Sequence, residues 1–255
     1  MECDARVGDG LGSVAVAFEY RVGDILELSC PFTEARVTEL TADDVHVEWP
    51  WWAVDPDSDG VRWNGVVALA AGPDTLGWDR EVFRIQPAAG ELAPDAVCRI
   101  GIPPTVVHVI AVRNLDPPRV TGWLPRPRRE VVCLRAGQSL DAALADQGSA
   151  FDPEDDIPRR VELLFRPYAF LEIGDEVADS GGRAWRFRGA WDWQPFDGAE
   201  PAAPTWPLLL LTRDGDSDDA AAVDVTEATL AGSHDEELAR WNDLAGLTPA
   251  RSTDE

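Results

Sequence analysis

Most of the chain alternates short apolar stretches with clusters of turn-forming residues. The apolar stretches are rich in Val, Trp, Phe and Ile; examples are DVHVEWPWWAV, TVVHVIAV, REVVCL and RAWRFRGAWDW. Asp, Gly and Pro separate them, as in DPDSDG and NLDPP. Short apolar runs bounded by such clusters are typical of β-strands and their turns. The pattern therefore predicts a mainly β protein.

Helix signals are limited to two segments. The stretch SLDAALADQG predicts a short helix near 140–147. A stronger signal is SHDEELARWNDLAG, in which Ser233 and Glu236 have the spacing of a capping box. Apolar residues follow at helical spacing, and Gly246 is a typical stop. This pattern predicts a helix at about 234–245, and the acidic, Ala-rich segment before it is predicted to be a flexible linker.

An internal repeat links two distant parts of the chain. Its order is a Gly-Asp pair, then two tryptophans two residues apart, then an aspartate four residues after the second tryptophan. A third tryptophan follows the second by twelve residues in one copy and thirteen in the other. The first copy contains Gly23, Asp24, Trp49, Trp51, Asp55 and Trp63; the second contains Gly174, Asp175, Trp191, Trp193, Asp197 and Trp206.

The repeat suggests a curled meander of strands in each copy. Tryptophans two residues apart lie on one face of a strand, and a third from the returning strand can stack across from them. This layout resembles small SH3-like β-barrels, which implies two Trp-rich barrel-like units; the alternative is that both copies are halves of one β-sandwich. The predicted division is an N-terminal arm (1–13), β unit 1 (14–88), a middle β segment (89–159), β unit 2 (160–213), and an acidic linker with the C-terminal helix (214–255).

Charge restricts the partners that we expect. The chain has 47 acidic residues and 22 basic residues, all of them Arg, for a net charge of −25. Residues 214–255 hold 12 acids and 2 arginines, a net of −10. Nucleic acids and anionic membranes are bound through cationic faces, so neither is expected as a partner. Three explanations of the acidity remain open: adaptation of the whole proteome to salt or base composition, a basic protein partner, and mimicry of a nucleic acid.

The sequence contains no feature typical of a membrane or secreted protein. No run of eighteen apolar residues is present, and the acidic N-terminus lacks the pattern of a signal peptide. We therefore expect a cytoplasmic protein.

A calcium loop is one hypothesis for DPDSDG. Asp55, Asp57 and Asp59 occupy the first, third and fifth positions of an EF-hand loop, and Gly60 the sixth. The twelfth position, however, is Val66 rather than Glu, and the flanking sequence predicts strands rather than helices. The same residues are favoured in hairpin turns, so a turn is the preferred interpretation and Ca²⁺ the alternative.

Candidate binding residues are the repeated tryptophans and the basic stretch LPRPRRE. Tryptophan fills cores but is also enriched at binding hot spots, and arginine beside aromatic residues suits recognition of an acidic surface. The candidates are Trp49, Trp51, Trp63, Trp191, Trp193, Trp206, Arg126, Arg128 and Arg129.

Evidence for catalysis is sparse. The sequence has no GxSxG, P-loop or HExxH motif, and its four cysteines have no zinc-ligand spacing. Cys98 and His108 are a conceivable nucleophile and base across a hairpin, and acids near Asp55 or Asp152 could serve a metal-dependent hydrolase.

These observations favour a non-catalytic binding or inhibitory protein with a basic protein partner, of the immunity or mimic type. A carboxylate- and metal-dependent hydrolase and a structural subunit of a larger assembly are the alternatives.

Overall fold

The computed structural model describes residues 19–75, 81–141, 143–144, 147–200 and 202–247. This part of the chain contains fourteen strands in three sheets, followed by two helices at the C-terminus. The mainly β fold predicted from the sequence is confirmed. The predicted N-terminal arm, residues 1–13, lies outside the described residues.

The largest sheet curls into a half-barrel around two long strands. Its order is β4-β2-β1-β6-β8-β9, and β10 pairs with part of β1 while β5 pairs with part of β6. The strands are β1 (Ile25–Leu40), β2 (Asp44–Glu48), β4 (Val66–Ala70), β5 (Arg84–Gln86), β6 (Val97–Asn114), β8 (Arg129–Arg135), β9 (Ser149–Phe151) and β10 (Arg160–Phe165). A separate two-stranded sheet joins β3 (Ala53–Val54) to β7 (Trp123–Leu124).

The curl of the large sheet follows from irregularities in its two central strands. The β1–β6 register shifts on both sides of Cys30, and Pro31 interrupts the run of β1 donors at the same place. Such bulges bend strands and increase their twist. A side chain at Gly101 of β6 would meet the Cys30 carbonyl oxygen at 2.8 Å, so the strands approach closely there.

The half-barrel does not follow the predicted division of the chain. β1 from unit 1 pairs with β6 from the middle segment along most of its length, and also with β10, which lies inside predicted unit 2. Residues 14–88 therefore do not form a sheet of their own, and the predicted boundary at 160 cuts through the half-barrel. The pairings join residues distant in sequence, which a search for local repeats does not detect.

A smaller sheet forms the second body, in the order β13-β12-β11-β14. Its strands are β11 (Glu176–Ala178), β12 (Ala184–Gly189), β13 (Asp192–Pro195) and β14 (Leu209–Thr212). Along β12, Trp185 and Phe187 are buried while Arg186 and Arg188 face solvent, which is the alternation expected of a half-buried strand.

The segment predicted to be a flexible linker contains a helix instead. Helix α1 (Asp219–Leu230) is capped at its N-terminus by Asp218, whose side chain accepts a hydrogen bond from the Ala221 N–H. Val225 and Thr229, one and two turns after Ala221, are buried. The Thr229 hydroxyl oxygen accepts the backbone N–H of Leu208, which lies just before β14. The interpretation as a linker was wrong because this buried face consists of Ala, Val and Thr, which give little apolar contrast along the sequence.

The second helix matches its prediction. Helix α2 (His234–Leu244) is capped at its N-terminus by Ser233, whose hydroxyl oxygen accepts the Glu236 N–H at 3.2 Å. The helix ends two residues before Gly246. By contrast, the described residues of the segment 140–147, for which a helix was predicted, lie in turns and irregular structure; 142, 145 and 146 are outside the described residues. Neither α1 nor α2 is long and apolar enough to span a membrane.

Helix α2 packs against both bodies. The Trp241 indole N–H donates to the Gly23 carbonyl oxygen at 2.7 Å, and its ring contacts His108 of the half-barrel and Trp191 of the small sheet. Burial lowers the pKa of His108, so the ring at this contact is neutral at neutral pH.

Two turns with the same hydrogen-bond pattern precede β1 and β11. Gly23 and Gly174 have φ of +92° and +103°, a conformation that favours glycine. The next residue, Asp24 or Asp175, accepts the backbone N–H of the residue three positions earlier, at 2.8 and 2.9 Å. In both turns one residue of a neighbouring strand, Val109 or Phe187, bonds to both residues of the Gly-Asp pair. Its carbonyl oxygen accepts the glycine N–H, and its own N–H donates to the aspartate carbonyl oxygen. The Gly-Asp part of the sequence repeat is therefore also a structural repeat.

Each of these aspartates is buried and held by an arginine. Arg166 reaches Asp24 through two nitrogens at 2.8 Å each, and Arg213 reaches Asp175 at 3.1 and 2.7 Å. The Asp24 and Asp175 side chains are 0% and 1% exposed. Two-pronged contacts of this kind fix the arginine as well as neutralising the carboxylate.

Candidate functional site

A partly enclosed cavity of about 310 Å³, lined mainly by apolar and aromatic side chains, lies on the half-barrel. Leu28, Cys133 and Ala150 contribute to its base from β1, β8 and β9. Its walls come from loops after β2, before β5, around β7 and after β9. The aromatic lining residues are Trp49, Trp52, Phe83, Trp123 and Phe151.

The tryptophan wall is built by the pairing of β3 with β7. Because Val54 lies opposite Trp123 in that short ladder, Trp52 comes beside Trp123. Their rings stack with centroids 4.9 Å apart and planes within 4°, and Trp63 packs edge-on against both. The wall is therefore formed by two hairpin segments that are seventy residues apart in sequence.

A second group of rings continues the wall. Trp49 is 7% exposed and packs edge-on against Trp51 and Phe83 at 4.9 and 5.0 Å. The indole N–H groups of Trp49 and Trp52 are buried and have no hydrogen-bond partner among the described residues. Buried donors are normally paired, and those of Trp191, Trp193 and Trp206 in the small body are unpaired in the same sense.

A buried ion pair, Asp155–Arg159, closes one side of the cavity. The two side chains are 7% and 6% exposed, and two nitrogens of Arg159 lie 3.1 and 3.3 Å from the carboxylate. Arg159 also covers the ring of Phe151 at 4.8 Å. Burial raises the pKa of Asp155 despite the opposing effect of Arg159.

Asp152, the acidic residue proposed for a hydrolase, stabilises the backbone. Its carboxylate accepts N–H groups from Arg128 at 2.7 Å, Arg129 at 3.3 Å and Glu154 at 2.9 Å. These bonds occupy both oxygens of the Asp152 carboxylate, which belongs to the acidic cluster FDPEDD. The cluster is thus a turn that holds β8 beside the loop after β9.

The third acidic lining residue, Glu130, lies between two arginines. Its oxygens are 2.9 Å from Arg113 and 2.9 Å from Arg119. Arg129 also lines the cavity, yet within the described residues no carboxylate lies within ion-pair distance of its guanidinium.

The three aspartates suggested as a calcium site do not converge. Asp55 is buried and pairs with Arg126 at 2.7 Å, and this hydrogen bond lowers the pKa of Asp55. Its other oxygen accepts the N–H of Asp57, whereas Asp57 and Asp59 themselves are exposed. No group of three or more potential ligands occurs within the described residues. The structure therefore supports the turn interpretation.

The repeated tryptophans lie in two separate aromatic clusters. Trp49 lines the cavity, and Trp51 and Trp63 pack behind the lining against Trp49 and Trp52. Strand β2 ends at Glu48, so neither Trp49 nor Trp51 is in a strand. Trp191, Trp193 and Trp206 surround Tyr168 in the small body. The expectation of two indoles on one strand face is wrong in the second copy too, because Trp191 is in the β12–β13 turn with φ of +66° and Trp193 is in β13.

The three predicted arginines have different environments. Arg126 is paired with Asp55, Arg128 is exposed, and Arg129 lines the cavity. Several residues that line the cavity were not predicted from the sequence; they include Trp52, Phe83, Trp123, Phe151 and Arg159. Trp52 and Trp123 are visible in the sequence as the last residue of WPWW and the residue before LPRPRR. Only tertiary contacts bring these two residues together.

The conceivable Cys98–His108 pair does not form. Both residues are in β6, ten positions apart, a separation of about 33 Å along an extended strand. Cys98 is buried, and burial raises its pKa, which disfavours the thiolate.

Comparison with known proteins gives no match: no family model, curated protein or solved structure matches this chain.

Proposed function

We propose that this protein is a non-catalytic binding protein and that the aromatic cavity receives an apolar group of its ligand. The observation that carries the proposal is a 310 Å³ cavity walled by five aromatic side chains. Ligand sites in proteins are concave, mainly apolar, and have volumes from about 300 Å³ upwards.

The state of the lining acids supports binding rather than catalysis. Glu130, Asp152 and Asp155 each already accept hydrogen bonds from arginines or backbone N–H groups. A general base needs a carboxylate that is free to reach substrate. The hydrolase alternative relied on Asp55 and Asp152, which are engaged in the same way.

The proposal is tested with indole as a neutral aromatic probe. We expect isothermal titration calorimetry to show that indole binds the wild-type protein, and that Trp123→Ala weakens binding at least about tenfold because stacked wall area is lost. Phe196→Ala is the matched control, since Phe196 is 52% exposed and lies outside the cavity. Absence of indole binding by a folded wild-type protein would contradict the proposal.

A basic protein partner, expected from the overall charge, is proposed for a second surface on the small body. Leu209, Leu211 and Val223 are 52%, 40% and 54% exposed, and a shallow groove runs between β14 and α1. Residues 214–232 around it hold six acids and no base. An apolar patch with a rim of one charge suits a partner of the opposite charge.

This second surface predicts a salt-sensitive interaction. A basic partner retained by the wild-type protein at low salt is expected to be released at about 0.5 M salt, because the attraction is screened. Leu211→Asp is expected to abolish retention, whereas Leu124→Asp, at an equally exposed leucine of the other body, is expected to preserve it. Equal retention by both variants would rule this surface out. An inhibitory role and a cytoplasmic location stay predictions.

A further inference from the structure

One wall of the aromatic cavity is cationic, although the protein is strongly acidic. The segment 113–130 contains five arginines and two acids, a net of +3, in a chain of net −25. This segment supplies seven of the lining residues, including Trp123 and Arg129. Over the whole lining, three arginines (Arg119, Arg129 and Arg159) balance three carboxylates (Glu130, Asp152 and Asp155), so the cavity does not share the strong negative charge of the molecule.

Internal pairing accounts for the other two lining arginines, Arg119 and Arg159, and for the neighbouring Arg113 and Arg126. Arg113 and Arg119 share Glu130, Arg126 pairs with Asp55, and Arg159 pairs with Asp155. Arg129 is half-buried in the lining and is the exception among the described lining arginines. Asp152 lies beside the Arg129 backbone, but it uses its oxygens for backbone N–H groups, including that of Arg129 itself.

The remaining unpaired polar groups in the lining are also donors. In the part of the chain that the structure describes, the buried Trp49 and Trp52 indole N–H groups have no acceptor, and Trp49 is more than nine-tenths buried. Indole and guanidinium groups have N–H donors and no acceptor. A ligand that complements this set presents acceptor atoms, and a negative charge opposite Arg129 adds a charge-assisted hydrogen bond.

We propose that the ligand of this cavity is an aromatic carboxylate, with its ring against the Trp52–Trp123 wall and its carboxylate on Arg129. This assignment rests on the proposed function, since it specifies the ligand of the same cavity. The shared chemistry has two sources: a free aromatic carboxylic acid, or the C-terminal residue of a peptide that ends in an aromatic side chain.

The test compares two ligands of almost the same shape, indole-3-acetate and neutral indole-3-acetamide, by isothermal titration calorimetry on the full chain. We expect the acetate to bind the wild-type protein at least about tenfold more tightly, because it alone gains the charged contact. A peptide ending in tryptophan, with a free or an amidated C-terminus, forms the second arm. Preference for the free carboxylate only in the peptide arm would assign the ligand to a peptide source.

Three variants locate the preference. Arg129→Gln is expected to bring the ratio of the association constants for the acetate and the acetamide close to one, while binding of the acetamide is retained. Arg129→Lys is expected to restore part of the preference for the acetate. Arg128→Gln is the matched control, because Arg128 is adjacent, exposed and not part of the lining. Thermal unfolding of each variant checks that the fold is intact.

The outcomes separate this inference from the proposed function. Equal binding of the carboxylate and the amide by the wild-type protein in both arms would overturn the carboxylate assignment and leave the cavity as a binding site. The assignment would also be overturned if Arg128→Gln lowered the preference for the carboxylate as much as Arg129→Gln does. A general effect of charge would then explain the preference. If no ligand of either arm binds, both proposals fail together.

Discussion

Replacing Asp24 with alanine is expected to lower the free energy of unfolding by about 3–5 kcal/mol, because Arg166 would be left buried without its partner. The Asp24 side chain is 0% exposed, Arg166 is 15% exposed, and two hydrogen bonds of 2.8 Å join them. The carboxylate also accepts the Arg21 N–H in the turn before β1. The change would appear in urea denaturation followed by tryptophan fluorescence.

Two further variants show whether burial causes the effect of Asp24→Ala. Asp197→Ala removes the partner of Arg183 at an exposed site, where the carboxylate side chain is 54% exposed, and should cost no more than about 1 kcal/mol. Adding Arg166→Met to Asp24→Ala should restore part of the lost stability, since no unpaired charge is then buried. Similar costs at Asp24 and Asp197 would show that the buried pair is not special.

Val225→Asp is expected to destabilise the protein by at least about 3 kcal/mol, because it places a charge in the core of the small body. Val225 is 0% exposed and packs in the same cluster as Trp185 and Leu210. The same substitution at Val223, on the exposed face of α1, should change stability by no more than about 0.5 kcal/mol. Equal tolerance of both changes would favour the flexible linker predicted from the sequence.

Local signals predicted individual elements well where each contained its own evidence. The alternation of β12 and the Ser233 cap of α2 are examples, since side-chain period and capping depend only on neighbouring residues. Helix α1 was missed because its buried face is made of small residues that resemble a linker in composition. Its burial depends on Leu208 and β14, which lie outside the helix.

The repeat was only partly informative about structure. Its Gly-Asp pairs form matching turns, because a positive φ and a side-chain acceptor at fixed positions specify a turn locally. Its tryptophans do not match, since indoles pack wherever the surrounding core has space. The repeated Asp55 and Asp197 each accept the N–H two residues later, which is again a local arrangement. Each also pairs with an arginine, but these arginines, Arg126 and Arg183, are distant in sequence.

The cavity itself could not be predicted from the sequence. Its wall needs Trp52 beside Trp123, and that pairing depends on a two-residue ladder between distant segments. Arg129 was predicted as part of a basic cluster. Only the tertiary structure shows that Arg126 and Arg159 are paired with carboxylates, whereas Arg129 has no carboxylate partner among the described residues.

The position of β10 has a consequence for synthesis of the protein on the ribosome. β1 is among the first strands to emerge, but one edge of its N-terminal half is paired only when Arg160–Phe165 follow, and Asp24 meets Arg166 across 142 residues of chain. At translation rates of 5–20 residues per second, that interval is roughly 7–28 s. The nascent chain therefore carries an unpaired, apolar strand edge during that interval, and an edge of this kind is a template for pairing with other chains.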